Sequence, residues 1–169
     1  MPNCNTHKLV GVMSGGLFAA YRAKDQSPDN RAAECVGGVI GGYFGGPFPD
    51  ILEPAISPWH RGVAHSYSTG ASVIAGAADI LAGWEKVCRN NAENAKALRM
   101  TQTPSGMSVP ASPNPIQQAL LSLEELFWRL AAGFLNGFVA GYVSHLALDA
   151  LTPRSIPLLG GRSSRICGE

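Results

Sequence analysis

Leu130-Ala-Ala-Gly-Phe-Leu-Asn-Gly-Phe-Val-Ala-Gly-Tyr-Val-Ser-His-Leu-Ala-Leu-Asp-Ala150 closes a long helix expected from about Ile116 to Ala150. This half of the helix is strongly apolar. Leu130–Leu148 approaches the roughly 20 apolar residues that cross a bilayer, yet it carries His145. His145 and Asp149 are four apart, so they share one helix face, with Cβ atoms about 5–6 Å apart, and can reach one cation. Leu146, Leu148 and Leu151 surround them, and polar groups in such a setting are costly without a partner. Two readings fit: metal coordination, or a neutral histidine hydrogen-bonded to an aspartate.

Three further helices are expected upstream. The first starts at a capping signal, Asn5-Thr6, and runs through His7 to about Ala23. After the polar turn Asp25–Asn30 the second runs from about Asn30 to Gly46. It contains Gly37-Gly-Val-Ile-Gly-Gly-Tyr-Phe-Gly-Gly46, where glycines recur every fourth residue and open one flank to another backbone. Each interior glycine costs about 0.5–1 kcal/mol relative to alanine, which tight packing has to offset. A proline-rich connector, 47–58, cannot be helical throughout. The third helix is expected from near Arg61 to about Leu98, amphipathic after Trp84. Residues 101–115 read as a proline- and serine-rich linker, and the tail from Thr152 as irregular. No strand alternation and no repeat is visible. The expectation is one all-α domain over 1–159, a compact bundle of about four main helices, followed by a 160–169 tail.

With a net charge of +1, no global field steers the chain toward nucleic acid, and Arg162-Ser-Ser-Arg165 is only a short tail feature. Charged residues make up 15%, against roughly 25% in an ordinary soluble domain. That points to closely packed apolar helices or to membrane contact. Val63–Trp84 is a second near-spanning stretch, interrupted by His65 and Asp79, while the apolar runs of the first two helices are too short to span. A bundle inserted in or lying against a membrane and a compact soluble bundle with a polar centre both fit. Cys4, Cys35, Cys88 and Cys167 form no C-x-x-C pair, so a reducing compartment without a disulfide framework is expected. The N-terminus lacks the pattern of a signal peptide.

All four histidines lie near helix starts or beside carboxylates. His7 heads the first helix, Asp50 and Glu53 precede His60 and His65, and Asp149 follows His145. Nitrogen and oxygen donors without sulfur match catalytic zinc, or manganese, better than a closed structural zinc site. Six candidate ligands are enough for one ion or two. Asp50 or Glu53 could serve as ligand or general base, and Arg61 or Arg154 could steady charge developing on a substrate.

Pro49-Asp50, His60-Arg-Gly-Val-Ala-His-Ser66, Gly141-Tyr-Val-Ser-His-Leu-Ala-Leu-Asp-Ala-Leu-Thr-Pro153 and Ile156-Pro-Leu-Leu159 carry a resemblance, to which His7 adds. Through them the sequence resembles the YdjM-like, LexA-regulated, membrane-bound metal-dependent hydrolases of bacteria and their phages. The resemblance implies a helical hydrolase of the inner membrane, the alternative being a cytoplasmic one. It makes His7, Asp50, His60, His65, His145 and Asp149 the metal ligands. The order of histidines and acids is also loosely similar to zinc phospholipases C and related single-strand nucleases, which implies a phosphodiester or phospholipid substrate. The chain departs from the family pattern at Ile51-Leu-Glu53-Pro54, where a denser acidic-histidine run is usual, and at Ala64, where threonine is common. The expected function is hydrolysis of a phosphoester through a zinc-bound hydroxide, by a monomer or homo-oligomer. The alternative is a non-catalytic, membrane-associated interaction protein of a phage or mobile element, its metal site structural or vestigial.

Overall fold

Every regular element in the computed structural model is helical; it describes residues 4–53, 63–101 and 114–151. The all-α expectation holds, with four main helices and one short one. α1 spans Cys4–Arg22, α2 Pro28–Gly45, α3 Phe48–Leu52, α4 Tyr67–Thr101 and α5 Pro115–Ala150.

The boundaries follow local chemistry. Asn5 and Thr6 lie inside α1 instead of capping it, since the helix already includes Cys4. α2 starts two residues earlier than expected because Ser27 caps it: the Ser27 hydroxyl accepts the Asn30 N–H at 3.4 Å, and Pro28 takes the first position, where no N–H is needed. The same tolerance admits α3 in the proline-rich connector, with Pro47 at its cap and Pro49 in its first turn. α4 starts later than expected, at Tyr67. Ser66 is its cap, accepting the Thr69 N–H on Oγ at 3.2 Å and the Gly70 N–H on its carbonyl at 3.0 Å. Asn114 caps α5 through the Ile116 N–H at 3.1 Å. The interior of the expected linker and the tail after Leu151 lie outside the described residues.

α2 packs against α1 and α5, α1 also touches α5, and α4 lies along α5. The α1–α2–α5 seam is made of backbone. A methyl group on Gly42 would collide with the Gly11 carbonyl, and one on Gly137 with the Gly38 carbonyl. The recurrent glycines therefore do what their spacing suggests: they bring main chains into contact, and dispersion between backbones replaces interdigitated side chains. Buried apolar side chains are mostly small, such as Ala19, Ala92, Ala95 and Ala132, while Leu9, Leu17, Ile40 and Phe44 point outward. Among the described residues α5 is the helix long and apolar enough, by length and composition, to cross a membrane; α4, which holds most of Val63–Trp84, is not.

A buried charged network ties the helices together away from the histidines. Arg22 grips Glu85 with two hydrogen bonds of 2.8 and 2.9 Å, and Arg89 grips Glu34 with two of 3.0 and 2.6 Å. Asn136 donates to Glu85 at 2.7 Å, and Arg129 pairs with Glu93. Glu34 and Asn136 are fully buried, so the Glu34 charge depends on Arg89 and the Asn136 amide on its bond to Glu85.

Candidate metal centre

His7 projects from the second turn of α1, Asp50 from α3, His65 from the turn before α4, and His145 and Asp149 from the last turns of α5. All but Asp50 are buried. Five of the six expected metal ligands thus meet at one end of the bundle. The sixth, His60, lies outside the described residues, as do Arg61 and Arg154. His65 was expected inside the helix; it precedes α4 by two residues, because Ser66 rather than a residue near Arg61 starts that helix.

Two neighbours fix the rings. His145 Nδ1 donates to the Gly46 carbonyl at 2.6 Å, which leaves its Nε2 as the lone-pair nitrogen. His65 Nδ1 lies 3.1 Å from Glu53 Oε2; an ionised carboxylate only accepts, so this nitrogen carries a hydrogen, and Nε2, 3.3 Å from Asp50 Oδ1, is the nitrogen an ion would take in place of the proton shared with Asp50. Glu53 Oε1 accepts the Ala64 N–H at 2.9 Å, and the buried Tyr142 hydroxyl donates to the Ala64 carbonyl at 2.6 Å. The turn carrying His65 is held from both sides. Glu53, expected as ligand or base, is placed behind His65, where it aims the ring.

The freed nitrogens converge. His65 Nε2 and His145 Nε2 are 3.2 Å apart, and Asp50 Oδ1 lies 3.3 Å from the first and 3.6 Å from the second. A tetrahedral zinc with bonds near 2.0–2.2 Å has ligand atoms about 3.3–3.6 Å apart, close to the spacing of these three, which would hold such an ion. Two lone pairs at this separation repel unless a cation or proton lies between them. The residues fit a divalent ion. Asp149 Oδ2 is 3.6 Å from His145 Nε2 and 3.8 Å from His65 Nε2, while its Oδ1 is 3.8 Å from His7 Nε2. His7, His145 and Asp149 make a second donor group that shares His145 with the first. The His7 ring stacks on that of His145 with centroids 3.8 Å apart, and its buried Nδ1 has no hydrogen-bond partner among the described residues.

Electrostatics follow from this crowding. Burial would raise the Asp50 pKa, but the hydrogen bond to His65 and the neighbouring imidazoles hold it below the ordinary aspartate value. Burial would lower that of His65, yet hydrogen bonds to Asp50 and Glu53 and the charge of Asp149 raise it.

Sequence reasoning missed Tyr142 and the Gly46 carbonyl. Tyr142 had a signal, one helical turn before His145 on the same face. A backbone carbonyl has none.

Residues 1–160 match the model of a family described as YdjM inner membrane protein. No curated protein and no solved structure matches the chain. The match spans α1 to α5 and every donor of the centre, and the inner membrane it specifies suits the apolar span in α5. The chain belongs to the YdjM inner membrane protein family.

Proposed function

We propose that the chain is a metal-dependent hydrolase, with zinc the best-fitting ion and manganese the next, acting on a phosphodiester or phospholipid. The carrying observation is the meeting of His65 Nε2, His145 Nε2 and Asp50 Oδ1 within 3.2–3.6 Å, each ring oriented by an outer partner. An ion held there supplies a Lewis acid and an activated water. Asp149 adds a donor from below and brings His7 into the set. The Asp50 side chain, 34% exposed where both histidines have none, lies on the open side from which a substrate would enter. Buried His145 and Asp149 keep water from the back of the centre.

The test combines elemental analysis with turnover. Protein purified without chelator or added metal should carry zinc or manganese and hydrolyse generic phosphodiester or phospholipid substrates. His145→Ala should lose both metal and activity while keeping its helicity. Unchanged metal content in that variant would overturn the reading.

One observation favours a second reading. Glu53 holds His65 and Ala64 instead of facing the converging atoms, so it does not occupy the place of a general base. A non-catalytic, membrane-associated interaction protein of a phage or mobile element, with a structural metal, would need none. Metal retained without turnover on any phosphoester would favour it.

A further inference from the structure

Two polar layers bracket the bundle. One is the metal centre, at His7, Asp50, His65 and His145; the other is the arginine–glutamate network, at Arg22, Glu34, Glu85 and Arg129. Between them, 9–21, 35–49 and 130–144 contain no Asp, Glu, Lys or Arg. The corresponding part of α4, 66–84, contains Asp79 alone, six residues or about 9 Å along the helix from Glu85.

At 1.5 Å per residue, the layers stand about 22 Å apart along α1 from His7 to Arg22, and about 24 Å along α5 from His145 to Arg129. A bilayer's hydrocarbon core is about 30 Å thick, and the shortfall of about 6–8 Å would be taken up by local thinning and by the flanking side chains, at a cost of fractions of a kcal/mol per ångström.

The surface between the layers is apolar on α1, α2 and α5, and on α4 apart from the exposed Ser72 and Asp79, the latter near the network end. Met13 and Leu17 of α1, Ile40 and Phe44 of α2, Ile74 of α4 and Phe134 of α5 are all exposed, between 37% and 72%. Both rims carry amphipathic pairs of the kind found at the lipid headgroups. Lys8 lies over the Tyr43 ring at 5.2 Å beside the metal layer, and Lys24 over the Tyr21 ring at 5.5 Å beside the network. Trp84, beside Glu85, adds a second aromatic at the network rim.

We propose that α1, α2, the first half of α4 and the second half of α5 cross the bilayer together, setting the metal centre at one lipid–water boundary and the buried arginine–glutamate network at the other. α1 and α2, of 19 and 18 residues, fall short as isolated spans because flanking charges and glycines dilute their apolar content. Packed backbone to backbone on α5, they need only an apolar outer face, and they have one. The network then pairs its charges with one another where it meets the bilayer. This placement is independent of catalysis. Only its corollary, that substrate reaches the centre from the headgroup layer, rests on the hydrolase reading.

Thiol labelling of the full chain in native vesicles tests it. Against a background of Cys35→Ala, Cys88→Ala and Cys167→Ser, native Cys4 reports the metal end. Asp25→Cys and Met13→Cys, each combined with Cys4→Ser, report the network end and the middle. A membrane-impermeant maleimide should label Cys4 and the Asp25→Cys thiol from opposite faces, in right-side-out and inverted vesicles respectively or the reverse. The Met13→Cys thiol should stay unlabelled in both until the membrane is dissolved in SDS. Labelling of Cys4 and the Asp25→Cys thiol from the same face, or labelling of Met13→Cys in sealed vesicles, would overturn the proposal. Zinc content measured on the same membranes shows separately whether each variant keeps its fold.

Discussion

His65 Nε2 and His145 Nε2 face each other at 3.2 Å, each with its other ring nitrogen committed to a fixed acceptor. Neither can rotate its Nε2 away without breaking the bond that orients it. In metal-free protein a proton on His65 Nε2, shared with Asp50, can lie between them, and the first prediction is that an ion takes its place. Zinc should raise the thermal stability of the protein, by about 2.7 kcal/mol at free zinc one hundred times Kd. His65→Ala should show no such gain, as read by thermal unfolding with zinc and with EDTA. An equal zinc shift in this variant would exclude His65 as a ligand.

Glu53 would act on a bound ion through His65. Glu53→Gln keeps the shape but weakens the hold on His65 Nδ1, and should lower zinc affinity roughly 10–100-fold without loss of helicity. Glu53→Ala should lower it further, because the Ala64 N–H also loses its acceptor. Isothermal titration of both variants measures the effect. Affinity unchanged in both would mean that the Glu53–His65 contact does not orient the ring.

Acidity should act with opposite sign on metal-free and metal-bound protein. His65 has a raised pKa, so in metal-free protein its contribution to stability is complete below the unfolded value near 6.5. That contribution is lost as pH rises through the higher folded value. Asp50 is held low, so its contribution is present above the unfolded value and lost as pH falls through the folded one. Metal must displace the His65 proton, so zinc affinity should fall as pH drops through the raised His65 pKa. Unfolding followed against pH in EDTA and in zinc separates the two trends. Parallel curves would contradict the assignment.

One substitution at two glycines should have opposite effects. Gly137→Ala drives a methyl into the Gly38 carbonyl on the neighbouring helix and should cost about 1–3 kcal/mol or more. Gly76→Ala on α4 meets nothing within 4 Å and should instead stabilise by roughly 0.5–1 kcal/mol through helix propensity. Unfolding in graded SDS compares the two. Equal effects would mean that the backbone seam does not limit packing.

The legible parts of this molecule were those that depend on neighbours in sequence. α5 could be placed to within one residue at its start because the proline- and serine-rich stretch ends at Pro115 and a helical apolar pattern follows from Ile116. His145 and Asp149 could be paired because four residues make one turn of helix. The glycine spacing in α2 announced a backbone contact without naming its partners on α1 and α5. The illegible parts depend on distance. Arg22 and Glu85 are 63 residues apart and Glu34 and Arg89 are 55, and each reads locally as an ordinary polar flank. Glu53 looked like a base because it is an acid near histidines; only the folded turn at Ala64 shows that both its oxygens hold the chain that presents His65. α3 was hidden by its prolines, which sit at the positions where a helix tolerates them.

Gly46 ends α2, lies against the His7 backbone where a methyl group would strike its carbonyl, and offers the oxygen that aims His145. A single atom cluster is thus both hinge pin and gunsight. A substitution that shifts this helix junction moves the His7 backbone and the acceptor of His145 together, so neither imidazole can be re-aimed without the other.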